Sequence, residues 1–237
     1  MKYIDKDKSS SIVVETKELL NNATDYNSDP KVKENLRRIY NGCCAYCECT
    51  PEAGAYYHIE HFYPKNHDTY KKYRKDIENL HYSCPICNTI KGQEDPSEIF
   101  SPNYYLDATG NWVLSSKTKI EEELFYVGHL LFSKNKNPES INRGQKTIDL
   151  FNLNDEYHES KRRKFLVESR IRCLADVSDI IKILIDKLAN YSSKDNPVIE
   201  ILLLKLVEFT EATSNYSTMV IHNFGNEIIK LLKIYLQ

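Results

Sequence analysis

Apolar residues recur along this chain with a period that changes with position, and each change predicts an element. Ile12, Val13, Leu19 and Leu20 make a weakly amphipathic stretch in an otherwise polar opening of 27 residues. A firmer helix follows: Val32, Leu36 and Ile39 form a stripe, Ser28 or Asp29 can cap its start, and Pro30 suits its first turn. Asn41-Gly42 is a stop signal. From Ala55 to Phe62, aromatic and β-branched residues predict a strand that Pro64 halts. A basic, tyrosine-rich connection, Lys65 to Lys75, leads on to Asn79-Leu80. Residues 98–133 read as β structure, with Asn103–Leu106 and Trp112–Leu114 flanking a hairpin loop, Asp107–Asn111, that contains Gly110. Ser140 is expected to cap a helix through Leu150, which Asn152-Leu153-Asn154 breaks.

From about Glu159 the pattern is helical. Leu174, Val177, Ile181, Leu184 and Leu188 alternate steps of three and four, one face of a helix. Pro197 opens a second helix in which Ile199, Ile201, Leu202, Leu203, Leu204, Leu206 and Val207 are apolar nearly all round. Such a helix is expected to be buried from several sides, by its own bundle or by a docked partner. A last helix runs from about Tyr216 to Leu236 and must tolerate Gly225. The expected fold class is therefore α+β. Its expected parts are a polar segment (1–27), a cysteine-bearing module (28–95), a β-hairpin extension with a connecting helix (96–158) and a helical region (159–237).

Composition narrows the class of protein. Of 237 residues, 41% are hydrophobic and 28% charged, ordinary globular usage that argues against disorder and against a coiled-coil rod. A formal charge of −2 excludes a globally basic coat yet permits a local basic groove. The first ten residues lack the apolar core of a signal peptide, and the stretch Val198–Val207 is interrupted by Glu200 and Lys205. The expectation is a soluble, cytoplasmic protein with no membrane contact.

Seven cysteines without a secretion signal suit metal ligation better than a disulfide framework. Six are clustered, at Cys43, Cys44, Cys47 and Cys49 and at Cys84 and Cys87, while Cys173 is alone. Two Cys-x-x-Cys pairs, Cys44/Cys47 and Cys84/Cys87, have 36 residues between them. Each pair offers two sulfurs from one tight turn, the requirement of a closed tetrahedral zinc site. The alternatives are buried thiols acting as small apolar side chains, or a redox pair. The adjacency of Cys43 and Cys44 leaves the choice between them open. Between the pairs lies Glu60-His61 with Pro64 three residues on; a carboxylate gives a hard oxygen ligand for Mg²⁺ or Mn²⁺, and its histidine neighbour can take a proton from water. His58 shares the strand face of Glu60, and a metal role for it stays open. Asn88 follows the second pair directly and offers an amide oxygen, with Lys91-Gly92 behind it.

These segments resemble the HNH, or ββα-metal, endonucleases in their zinc-knuckle form: Cys-x-x-Cys, acid-His-x-x-Pro, Asn-Leu, then Cys-x-x-Cys-Asn-x-x-Lys-Gly. The resemblance implies two strands and a helix around one catalytic divalent ion. It implies Glu60 and Asn88 as ligands of that Mg²⁺ or Mn²⁺, His61 as general base, Asn79 as the residue that orients the loop, and Cys44, Cys47, Cys84 and Cys87 as ligands of a structural Zn²⁺. Cys44 fits the family's usual Cys-Ala-Tyr-Cys-Glu knuckle. Lys65 and Lys91 are the expected nucleic-acid contacts. Over about residues 33–170 the chain also resembles the HNH subunits of Septu-type antiphage systems. This implies a PtuA-like partner, an ABC-type ATPase related to the chromosome-maintenance (SMC) ATPases, and in some systems a retron reverse transcriptase with its msDNA. The expected activity is hydrolysis of nucleic-acid phosphodiesters, DNA in the first place and RNA as the alternative. The reading from another class is a zinc-scaffolded binding or assembly module that cleaves nothing. Only the enzyme needs Glu60, His61 and Asn88 together.

Overall fold

A computed structural model describes every residue except 51–56, 116, 136–141, 156–160, 191–195 and 237. The chain divides into two compact units, one of residues 1–125 and 132–153, the other of residues 126–131 and 154–237. Helices and strands are mixed in the first; the second is dominated by helices.

In the first unit, helix α1 (Ser11–Asn22) packs on α2 (Pro30–Ile39) through buried Val13, Leu20, Val32 and Leu36. Asp29, not Ser28, caps α2: its Oδ1 accepts from the amides of Lys31 (2.8 Å) and Val32 (3.2 Å). Asn41 and Gly42 both take positive φ (52° and 72°), and the Gly42 amide reaches back to the Arg37 carbonyl at 2.8 Å. Only the backbone conformation demands a glycine at position 42, because an added Cβ would meet nothing closer than 3.7 Å. Strand β1 (His58–His61) pairs antiparallel with β2 (Leu80–Ser83), placing Glu60 opposite His81, and α3 (Pro85–Lys91) follows at once. The expected strand from Ala55 is thus shorter, and its first two residues lie outside the described residues. This β1–β2–α3 unit is the frame of the site.

The opening segment is part of the same core. Met1 and Ile4 are buried, the Ile4 amide bonds the Pro102 carbonyl at 2.9 Å, and the fully buried Lys6 donates to the carbonyls of Ile77 (2.7 Å) and Leu80 (2.6 Å). Beyond α3, β3 (Tyr104–Leu106) and β4 (Trp112–Leu114) form the expected hairpin. Residues 98–133 are not β throughout, however. Helix α4 (Lys117–Glu123) stands before a second hairpin, β5 (Leu124–Val127) and β6 (Leu130–Ser133). Glu121, Glu122 and Glu123 suit a helix better than a strand. Helix α5 (Arg143–Leu150) is capped by Asn142, which accepts from the Gln145 amide at 2.9 Å; the expected cap, Ser140, lies outside the described residues.

The second unit holds α6 (Lys161–Asn190), α7 (Pro197–Thr210) and α8 (Ser217–Leu236). Their shared core contains Val177, Ile181 and Leu184 from α6, Ile199, Leu203 and Leu206 from α7, and Val220, Ile228 and Leu231 from α8. Helix α7 is not buried on several sides within this unit: Ile201 and Leu204 are each 62% exposed. No helix among the described residues is long and apolar enough to cross a membrane.

Candidate metal centre and adjoining cleft

The stop after α2 delivers the chain into the first cysteine turn, where the Cys44 amide bonds the Cys49 carbonyl (2.9 Å) and the Glu48 amide bonds the Cys44 carbonyl (3.1 Å). The Ala45 amide donates to the Tyr82 carbonyl at 2.9 Å, fastening this turn to β2. Cys84 ends the strand segment and caps α3, its sulfur 3.4 Å from the Cys87 amide, with Pro85 in the first turn. The result is a buried cluster in which the sulfurs of Cys44, Cys47, Cys84 and Cys87 all lie within 4.8 Å of one another. Tetrahedral zinc with Zn–S bonds of about 2.3 Å separates its sulfurs by about 3.8 Å, and Cys47 and Cys84 stand 3.9 Å apart. The donor set fits zinc. The cluster takes in Cys44 and not the buried Cys43; Cys49 sits beside the cluster, 3.1 Å from the Cys47 sulfur.

On the same β1–β2–α3 frame opens a cleft of about 540 Å³, whose lining includes His58, Glu60, His61, Lys65 and Asn88. Asn79 is fully buried below it. Its Oδ1 accepts from the Tyr63 amide (2.8 Å), while Nδ2 donates to the carbonyls of Tyr63 (3.1 Å) and Tyr73 (3.2 Å). One side chain, at the end of the connection between the strands, thereby ties its start at Tyr63 to its interior at Tyr73.

His61 is mostly enclosed. Its Nε2 lies 3.2 Å from the Arg74 carbonyl and 2.9 Å from the Tyr26 hydroxyl. Burial first, and then the charge of Lys65, push its pKa down to about 4 against the opposing pull of the Arg74 carbonyl. The ring is therefore neutral near pH 7. A neutral imidazole carries one proton, and if Nε2–H donates to the Arg74 carbonyl, Nδ1 is the basic nitrogen.

Glu60 is buried, with Oε1 2.9 Å from Lys91 Nζ and Oε2 accepting from the Tyr46 hydroxyl at 2.5 Å. Lys91 does not face nucleic acid as expected. Its ammonium is fully buried, bridging Glu60 and the His61 carbonyl (2.9 Å), because it closes the last turn of α3 against β1. Lys65, by contrast, is exposed at the cleft. Asn88 and His58 meet there, Nδ2 to Nδ1 at 3.0 Å. His81 is a packing residue, stacked on Phe62 with centroids 5.5 Å apart and held well below the ordinary histidine pKa, chiefly by burial.

Sequence reasoning missed Tyr26, the Arg74 carbonyl and Lys6. Nothing in local spacing links Tyr26 to a histidine 35 residues on. Tyr46 carried a signal, since it lies inside the Cys44–Cys47 knuckle.

Residues 44–94 match the family model described as HNH endonuclease. A relative, the Septu protein PtuB of Bacillus thuringiensis, is 35% identical over 99 residues, which are 41% of this chain and 38% of that protein. The chain thus aligns with well under half of that relative's length. No solved structure matches the chain.

Proposed function

We propose that this chain is a metal-dependent HNH endonuclease that hydrolyses phosphodiester bonds of nucleic acid, DNA in the first place. We further propose that it acts in the cytoplasm as the effector subunit of an antiphage complex with an ABC-type ATPase. The observation that carries the catalytic reading is the placement of His61, held at Nε2 by the Arg74 carbonyl in a cleft whose lining also includes Glu60, Asn88 and the exposed Lys65. Zinc on Cys44, Cys47, Cys84 and Cys87 would hold the first cysteine turn to β2 and α3, and so keep the cleft in shape.

For the catalytic ion the donor set also fits. A carboxylate has about four lone-pair positions; Lys91 and Tyr46 take one on each oxygen of Glu60, so one remains on each. Asn88 adds an amide oxygen. Mg²⁺ is commonly held by one or two protein oxygens with water completing its shell. Glu60 and Asn88 would hold it, and what it supplies when bound is positive charge against the departing 3′ oxygen. The chain's own residues do the rest. Lys65 draws the phosphate backbone to the cleft. His61 takes a proton from water at Nδ1 as the water oxygen bonds to phosphorus and the P–O3′ bond breaks. The Arg74 carbonyl and Tyr26 keep the ring from turning.

Support for a protein partner comes from the helical unit, where Phe165 on α6 (72% exposed) and Ile201 and Leu204 on α7 offer apolar surface to a docking protein. The ATPase is the partner that the resemblance to Septu-type HNH subunits implies, and this surface is where we propose it docks. Incubating the purified protein with supercoiled plasmid and Mg²⁺ or Mn²⁺, alone and with the ATPase, tests the proposal. Nicked or linear plasmid is expected with the ion and not without it. Intact plasmid under every condition, from a folded, zinc-loaded protein, would contradict it.

A further inference from the structure

A second cavity, of about 510 Å³, opens where the β3–β4 hairpin meets the loop between β1 and β2. Its lining includes Tyr70, Tyr73, Tyr105 and Phe100, with Lys72 and Arg143 also present. The volume is in the range of small-ligand sites.

The walls are pinned in place. Tyr73 donates its hydroxyl to the Gly110 carbonyl at 2.9 Å, and Gly110 is required there, because a Cβ would come within 2.7 Å of that hydroxyl and φ is +81°. Tyr63 accepts from the Leu106 amide at 2.9 Å, and the Trp112 indole donates to Asp76 at 2.7 Å. These bonds hold aromatic rings at fixed positions, which lowers the entropy lost when a flat ligand stacks on them. The Asp107 carboxylate also lines the cavity, its Oδ1 accepting from Thr109 and from the Asn111 amide, and its single negative charge is outnumbered by Lys72 and Arg143. Lys72 Nζ lies over the face of Tyr73, 4.7 Å from the ring centroid, and Arg143 is exposed; neither has a carboxylate within ion-pair distance among the described residues. The hydroxyls of Tyr70 and Tyr105 likewise make no hydrogen bond among the described residues, so they can meet the polar edge of a ligand.

Flat π-surface, unused hydroxyls and two cations without carboxylate partners together match one chemistry, an aromatic base carrying a phosphate. We infer that this cavity binds an unpaired nucleotide. The inference rests on the nucleic-acid reading above and deepens it. His61 lines the cleft and Tyr63, two residues later, lines this cavity. The substrate class is then nucleic acid with a single-stranded stretch beside the cut, or a free mononucleotide occupying the same site.

Trp112, the chain's single tryptophan, reports on the cavity, with its ring centroid 5.8 Å from that of Tyr63 and 5.4 Å from that of Tyr73. Full-length, zinc-loaded protein without added Mg²⁺ or Mn²⁺ is titrated with a short oligothymidylate, with thymidine monophosphate and with a blunt duplex, following Trp112 fluorescence. A saturable change with the oligonucleotide is expected. Tyr105→Ala should weaken it on the order of 10-fold, the usual loss when one stacking ring is removed. Lys72→Ala with Arg143→Ala should weaken it at least as much, and since both side chains are exposed, this variant decides the matter if Tyr105→Ala does not fold. Saturation by the mononucleotide at similar concentration assigns the site to free nucleotide; response to the oligonucleotide alone assigns it to a strand. No saturable response to either, equal binding in the rim variant, or equal competition by the blunt duplex would overturn the inference. His61→Ala should leave the titration unchanged, so retained cleavage in that variant would count against the catalytic reading alone, and a missing fluorescence response in wild-type protein that still cleaves would count against this inference alone.

Discussion

Replacing Lys91 by Met separates two roles that a lysine at this position can have. The methionine keeps most of the aliphatic stem and removes the ammonium, which lies over the Phe62 ring, 5.9 Å from its centroid. That ammonium is fully buried, and the Glu60 side chain it pairs with at 2.9 Å is 4% exposed. Water can therefore approach only from the cleft side, where Glu60 reaches the lining. Breaking a buried pair by deleting one partner costs about 3–5 kcal/mol, and solvent screening does not reduce the figure here because neither group is exposed. The His61 carbonyl loses a partner in the same change. Urea unfolding of the zinc-loaded protein, followed by circular dichroism, should show a loss in that range for Lys91→Met. Glu60→Gln in the same background should recover a large part of it, since the orphaned charge is then gone. A surface lysine that merely contacts phosphate behaves in the opposite way: stability is unchanged, while nucleic-acid affinity falls and its salt dependence flattens. A loss under 1 kcal/mol, or a Glu60→Gln effect that simply adds, would refute the buried-pair account.

Metal analysis should find about one zinc per chain. Cys84→Ser should lose that zinc and unfold the first unit, whereas Cys43→Ser keeps both; retained zinc in Cys84→Ser would count against the four-thiol site. Tyr26→Phe removes the hydroxyl 2.9 Å from His61 Nε2 and should slow cleavage roughly 2- to 10-fold, the worth of one net hydrogen bond, with unfolding little changed; an unchanged rate would remove Tyr26 from the site. Lys6 is pushed down to about 7 by burial, so between that pH and about 10.5 the unfolded chain holds a proton that the folded chain has shed. The stability of wild type relative to Lys6→Met should therefore rise with pH across this window and be lowest below it; a flat difference in parallel urea titrations would show that Lys6 is not desolvated.

What could be read from the chain beforehand was whatever local spacing carries. The cysteine pairs, the Glu60-His61 dipeptide, Asn79 and Asn88 fall within 45 residues, each in a turn or strand end that local sequence marks, and the β1–β2 pairing brings them together. The α2 cap, the Asn41-Gly42 stop and the β3–β4 hairpin are likewise local. What escaped is set by tertiary packing. Tyr26 and Lys6 reach the site from a segment whose composition looks merely polar, and the charge of Lys91 turned inward because a buried carboxylate waited there. Residues 98–133 show the same limit, since a short helix flanked by hairpins is decided by its neighbours more than by its own seven residues.

The most direct test of the account is single-turnover cleavage of supercoiled plasmid by the wild-type protein and by His61→Ala, in Mg²⁺ and in Mn²⁺, with the ATPase present. Zinc content and the unfolding midpoint should match between the two proteins. The account predicts that wild type nicks the plasmid and that His61→Ala is slower by on the order of 10²-fold or more, the usual worth of a positioned general base. Equal rates in the two proteins would contradict it.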